Sequence, residues 1–255
     1  MSAVDVHAVA SGKADRPAVV LSNSLGSDMR MWEPQLPALE ERFHVIRYDT
    51  RGHGQSPVPD GPYTLDDLSD DLLALLDRFG VEQAHLIGLS LGGMTMMRTA
   101  VRAHERVASV AVLCTSAALP DAGYADRAGL VRREGTGHIA EAVVGKWFTP
   151  TYLAENSAQK EFYEAMVADT PDEGYAGCCE AIAAMDLRDE LSRIAARTLV
   201  VAGAEDIATP PAMLTDIADR IEGSTLTVLP NACHLANLQQ PEAATAALIN
   251  HLEQA

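Results

Sequence analysis

Short apolar runs rich in β-branched residues recur along the chain, and longer amphipathic stretches separate them. The runs lie at residues 18–21, 44–48, 85–88, 107–113, 198–202 and 225–229. Each is nearly continuous in apolar residues, the pattern of a strand covered on both faces. Between them come helical patterns such as residues 65–79, with Leu68, Leu72, Leu75, Leu76 and Phe79 on one side. Strands that alternate with helices predict an α/β fold, a mostly parallel sheet with helices on both faces. A short stretch at 4–9 is expected to add an antiparallel edge. The alternation stops between 119 and 191. That stretch has helical pieces at 137–148, 157–168 and 173–186, separated by Pro120, Pro150 and Pro171. The expected organisation is therefore a core of residues 1–118 and 192–255, with a helical lid at 119–191 inserted between two strands.

Composition narrows the function. Apolar residues make up 47% and charged residues 22% of the 255 positions, the balance of a soluble globular chain with a full core. Collagen-like, disulfide-scaffold and disordered classes are excluded. No apolar run approaches the roughly 18–20 residues that span a bilayer. The first residues show no basic start followed by an apolar stretch, so a cytoplasmic protein is expected. Lys and Arg number 19 against 36 Asp and Glu, a net charge of −17. Nucleic acid and anionic membrane surfaces are not expected partners, because both require clustered cations. An anionic small molecule would need a local Arg or Lys. Cys114, Cys178, Cys179 and Cys233 show neither metal-ligand spacing nor a disulfide framework, so they read as reduced thiols and no metal site is expected.

The sharpest local signal is Gly88-Leu89-Ser90-Leu91-Gly92-Gly93, between a strand pattern and a helical pattern from Met94 to Ala103. G-x-S-x-G in a strand–turn–helix setting places a serine nucleophile on a strained turn above a sheet, at the N-terminus of a helix. A side chain at 88 or 92 would collide there. A serine needs a base. Of eight histidines, His234 is the best placed, in a loop just after the strand at 225–229. The base needs an acid, and Asp206 follows the strand at 198–202, with Glu205 as its local rival. Ser90, Asp206 and His234 each sit just past the C-terminal end of a different strand, where open α/β sheets bind ligands. An oxyanion needs backbone N–H donors. Leu91, after the nucleophile, supplies one. Leu25 in Asn23-Ser24-Leu25-Gly26 is favoured for the second, with Ser24 as the alternative.

These residues resemble the α/β-hydrolase superfamily from end to end. The matching pieces are Asn23-Ser24-Leu25-Gly26 with Trp32, the stretch Asp49-Thr50-Arg51-Gly52-His53-Gly54-Gln55-Ser56, the serine turn, Asp206 with Ala208-Thr209-Pro210-Pro211, and His234. Within it the chain is most similar to the 3-oxoadipate enol-lactonases. The similarity is carried by Lys146-Trp147-Phe148-Thr149-Pro150, Thr170-Pro171-Asp172-Glu173-Gly174-Tyr175, Cys178-Cys179, Asp186-Leu187-Arg188 and Cys233-His234-Leu235-Ala236-Asn237. Lid segments weigh most, because the triad is shared by enzymes with unrelated substrates. The chain departs from the pattern at Lys146, where an arginine is expected; a cation survives but a bidentate grip does not.

The resemblance implies a serine hydrolase that opens a small anionic lactone without any cofactor, as a step in aromatic-compound degradation. The substrate carboxylate needs a cation. Lys146, Arg132 and Arg133 are the lid candidates, each with the alternative of a solvated surface charge. Trp147 either walls the pocket or packs the lid. A broader carboxylesterase, a carbon–carbon bond hydrolase and a ligand receptor on the same fold are the competing readings. Nothing in the sequence specifies an oligomeric state.

Overall fold

The strands of the computed structural model form one sheet, described over residues 2–120 and 122–254. Met1, Asp121 and Ala255, which belong to the expected core and lid segments, lie outside the described residues. The strands are β1 Ala8–Gly12, β2 Ala18–Ser22, β3 His44–Tyr48, β4 Ala84–Leu89, β5 Val107–Leu113, β6 Arg197–Gly203 and β7 Thr225–Leu229. Their order in the sheet is β1-β3-β2-β4-β5-β6-β7. β1 runs antiparallel to β3, and the other neighbours are parallel.

Successive side chains of the central strands enter opposite cores, as the two-residue period of a strand requires. Val19, Leu21, Ile87, Leu89, Ala111 and Leu113 fill one face. Val20, Leu86, Val110, Val112, Val200 and Ala202 fill the other. Because both faces are covered, these strands carry no polar alternation.

Helices α1 Leu36–Glu40, α2 Leu65–Arg78 and α3 Leu91–Arg102 precede the insertion, and α9 Pro211–Arg220, α10 Ala236–Gln239 and α11 Pro241–Leu252 follow it. α2 starts where Thr64 and Asp67 cap each other's backbone N–H. α3 buries Met94, Met96 and Met97 against the sheet, and full burial of such a side chain contributes roughly 1.5–3 kcal/mol. The antiparallel edge differs from the expected 4–9. Val6 is buried and Val4 N–H donates to Asp71 of α2, so this stretch is held to the helix before pairing with β3 begins at Ala8.

Among the described residues five α-helices lie between β5 and β6: α4 Tyr124–Glu134, α5 Ala140–Trp147, α6 Pro150–Glu155, α7 Ser157–Ala168 and α8 Asp172–Ala184. The chain leaves and re-enters the core through one antiparallel bridge, Ala118 to Asp186, beside the Leu187 N–H bond to Ala117 O at 2.8 Å. α4 packs along α8, and α5 along α7. α8 also meets the core at its backbone: a Cβ on Gly174 would sit 2.0 Å from Gly52 O. Only paired glycines permit that approach. No helix of the described residues is long and apolar enough to cross a membrane.

Candidate active site

Ser90 links β4 to α3 in a conformation open to few side chains, φ 56° and ψ −117°. The turn is clamped on both sides. Ser90 N–H donates to Leu113 O at 2.9 Å, and Thr115 Oγ1 donates to Ser90 O at 2.7 Å. The flanking glycines are obligatory. A Cβ at Gly88 would fall 2.3 Å from the Gly92 backbone, and one at Gly92 would fall 2.3 Å from Ser22 O at the end of β2. The second collision is thus with the neighbouring strand rather than across the turn itself.

The loop after β2 is tied to this elbow by Gly92 N–H donating to Asn23 O at 2.9 Å. The Asn23 side chain donates to Tyr48 O and accepts from the Trp32 indole, which fixes the loop from behind. Ser24 N–H is occupied by Met31 Sδ at 3.3 Å. Gly26 N–H donates to His53 Nε2 at 2.9 Å. Between them, the Leu25 N–H donates to no partner among the described residues, as does the Leu91 N–H in the first turn of α3. His53 acts as a neutral acceptor. Burial lowers its pKa to about 4, and its Nδ1 faces Arg51 O. The turn that carries it is anchored by the buried Arg51, whose guanidinium donates to both Asp71 oxygens at 2.6 and 2.7 Å.

His234 sits in the loop after β7, with Nδ1 2.9 Å from Asp206 Oδ2. Both residues are buried. Asp206 Oδ1 accepts the N–H groups of Ala208 at 2.8 Å and Thr209 at 3.0 Å. Burial pushes this carboxyl up, but the charge and hydrogen bond of His234 and the donations of Thr209 outweigh it and hold the group below its usual range. Its neighbour Glu205 is exposed, with its backbone paired to Ala232 O. Ser90 Oγ and His234 Nε2 make no hydrogen bond among the described residues and line the same cavity. Catalytic contacts of this kind commonly tighten only around substrate.

The cavity holds about 610 Å³ and lies between the strand ends and α4, α5 and α8. It falls in the usual range for small-molecule sites, ~300–1,000 Å³. Ser24, Leu25, Ser90 and His234 form its floor, and Trp147, Lys146 and Arg133 contribute to the wall built from the inserted helices. Trp147 is also a packing residue: it is buried, meets Tyr163 edge-on, and its carbonyl accepts Leu235 N–H at 2.9 Å beside the histidine. Arg132 is absent from this wall. Its guanidinium is engaged by Glu173 at 2.7 Å and Glu180 at 2.6 Å, because α4 packs along α8 and faces its two carboxylates.

Arg127 escaped the sequence reading. It lines the cavity half-buried, with its guanidinium 4.7 Å from the Tyr124 ring centre, and no carboxylate pairs with it among the described residues. The available signal was helical spacing, since Tyr124, Arg127 and Leu130 fall three apart and share one cavity-facing stripe. Among the described residues no group of three His, Cys, Asp or Glu side chains is gathered to hold a metal.

A sequence profile for the alpha/beta hydrolase fold matches residues 17–241. A protein of Acinetobacter baylyi named 3-oxoadipate enol-lactonase 2 is 42% identical over 233 residues, covering 91% of this chain and 87% of that one. The crystal structure of the enol-lactonase from Burkholderia xenovorans LB400 superimposes with a TM-score of 0.95 at 38% identity, covering 97% of this chain and 96% of that one. A thermophilic esterase from Thermogutta terrifontis superimposes with a TM-score of 0.93 at 30% identity, covering 98% and 94%.

Proposed function

The chain belongs to the alpha/beta hydrolase family, and from that premise we propose that it opens the ring of 3-oxoadipate enol-lactone to 3-oxoadipate. The single observation that carries the choice of an anionic substrate is Arg127. A half-buried guanidinium without a carboxylate partner faces the same cavity as Ser90 and His234, in a chain of net charge −17. Tyr124 and Tyr175 hold this guanidinium without supplying a carboxylate, so a negative group on the substrate is the counter-ion that fits it.

The chemistry follows from the geometry. Ser90 Oγ attacks the lactone carbonyl while His234 Nε2 takes its proton. Asp206 holds the imidazolium through Nδ1–H. The N–H groups of Leu91 and Leu25 receive the oxyanion. Collapse breaks the ring C–O bond and expels an enolate, which takes the Nε2 proton from His234 and becomes a ketone, leaving the imidazole neutral again. His234 then deprotonates a water molecule, which attacks the acyl carbon and releases the second carboxylate of 3-oxoadipate from Ser90. Arg127 holds the carboxymethyl group throughout, with Lys146 and Arg133 nearer the solvent. The helices α4–α8 serve as the lid. The step belongs to aromatic-compound degradation, and a cytoplasmic setting fits four free, buried thiols.

A second reading, a broader carboxylesterase, is favoured by two observations: the cavity is generous for a five-membered lactone, and the T. terrifontis esterase shares the fold closely. One assay separates them. Loss of the lactone's ultraviolet absorbance is followed beside hydrolysis of a neutral aryl ester, with Ser90→Ala as control. Fast lactone turnover that vanishes in Ser90→Ala supports the proposal. Ester turnover without lactone turnover moves the enzyme to the second reading.

A further inference from the structure

Thr209 is buried against the Asp206–His234 pair and has no part in the mechanism above. It is 2% exposed. Its Oγ1 is 2.7 Å from Asp206 Oδ2 and 3.3 Å from His234 Nδ1, while Nδ1 and Oδ2 are 2.9 Å apart. The three atoms form a closed triangle. We propose that Thr209 is a positioning residue of the triad: its hydroxyl reinforces the tautomer of His234 that Asp206 sets and moderates the pull of Asp206 on the imidazolium.

The argument is one of donors and acceptors. An ionised carboxylate only accepts, so the Thr209 proton is directed at Oδ2. The hydroxyl then presents lone pairs to Nδ1. An unprotonated Nδ1 would face lone pairs from both oxygens, so the proton must reside on Nδ1. That leaves the Nε2 lone pair directed into the cavity, the form that accepts the Ser90 proton. The carboxylate does not need the hydroxyl to stay in place, because Oδ1 is already fixed by the backbone N–H groups of Ala208 and Thr209. The hydroxyl therefore acts on the histidine side. By donating to Oδ2 it also draws charge from the oxygen that stabilises the imidazolium.

Other groups around the ring are common to every variant. Glu205 adjoins Asp206 on the same loop and is exposed. Cys114, at the end of β5, and Cys233 beside the ring are neutral thiols, both pushed up by burial. Ser90 lines the same cavity as the ring from the elbow, and Tyr124, Asp126, Arg127, Arg133, Lys146 and Tyr175 line it from the helices between β5 and β6.

The test compares Thr209→Val, which preserves shape, with Thr209→Ser, which preserves the hydroxyl. The inference rests on the serine-hydrolase reading and not on the lactone, so kcat/KM is followed against pH with both the lactone and a neutral aryl ester. In Thr209→Val the acid limb moves to higher pH by roughly one unit, the size of one charge-assisted hydrogen bond. kcat falls about tenfold on both substrates, and Thr209→Ser restores limb and rate. The far-downfield Nδ1 proton of His234, read by NMR in the free enzyme, moves further downfield in Thr209→Val as its bond to Oδ2 strengthens, and keeps its wild-type position in Thr209→Ser. If Thr209→Val fails to fold, Thr209→Ala takes its place against Thr209→Ser. An unmoved acid limb in the variants without a hydroxyl overturns the inference, as does a serine variant that behaves like them. Loss of lactone turnover in the wild type, with the limb shift intact on the ester, sinks the substrate reading alone.

Discussion

Replacing Arg127 by methionine removes a charge while keeping most of the side-chain volume. The guanidinium is half-buried against Tyr124 and unpaired with any carboxylate among the described residues, so its principal loss is the bond to substrate. A hydrogen bond to a charged group is worth roughly 1.5–3 kcal/mol. Truncating one side of a buried charge pair costs about 2–5 kcal/mol. The overlap, about 2–3 kcal/mol, corresponds to a loss of roughly 30- to 150-fold in kcat/KM for the lactone. The carboxylate is present equally in the ground state and the transition state, so the loss falls mainly on KM. A neutral aryl ester has no group for Arg127 to hold, and its kcat/KM changes less than about threefold. Steady-state kinetics on both substrates provides the reading. Urea denaturation provides the control, because the lost stacking on Tyr124 costs about 0.5–2 kcal/mol of stability. Equal losses on lactone and ester refute the reasoning, as does a lactone KM that does not move.

Lys146→Ala, at an exposed position on the same wall, raises the lactone KM less than about tenfold and spares the ester; a larger effect than Arg127→Met would transfer the carboxylate to Lys146. Ser90→Ala and His234→Ala each lower kcat by roughly 10⁴-fold or more, and the double variant loses little further, because the two act as one unit; a loss under tenfold in either dismantles the triad. Acid stability follows His53, whose pKa is lowered to about 4 by burial. A histidine held neutral in the fold takes up a proton in the unfolded chain first, so stability falls from about pH 6.5 down to about 4 and then levels, by roughly 3 kcal/mol in total. Urea denaturation across that window shows the slope. Burial lowers His251 to about 4 as well, so His53→Gln removes about half of it; an unchanged slope in the variant excludes His53 as a source.

The parts of the molecule written in local sequence were legible. The apolar runs are strands because their residues are buried on both sides, and G-x-S-x-G marks the elbow because two glycines are sterically required there. The proposed acid and base are legible by their place after strands, and the fold sets them 2.9 Å apart. What local sequence omits is pairing at a distance. β1 was placed too early because its register depends on β3, and its own residues carry no alternation. α4 went unrecognised because few of its residues are buried, Ala128 and Val131 among them. The same gap explains the arginines. Arg132 and Arg127 look equivalent in sequence, yet α8 supplies two glutamates to one and Tyr175 to the other, about fifty residues away. Thr209 was visible only as part of a matching motif, and its role depends on a triangle that forms when two loops meet.

The positive φ of Ser90 has a consequence for how such a chain changes over generations. A non-glycine residue held in a sparsely populated region costs of order 1–3 kcal/mol, and glycine at that position relieves much of it. The most stable residue for the elbow is thus one that abolishes turnover. A lineage screened for heat tolerance alone would discard its nucleophile early, and a lineage that lost its substrate would drift the same way. On the proposed mechanism, the serine at position 90 serves the reaction at the expense of the fold.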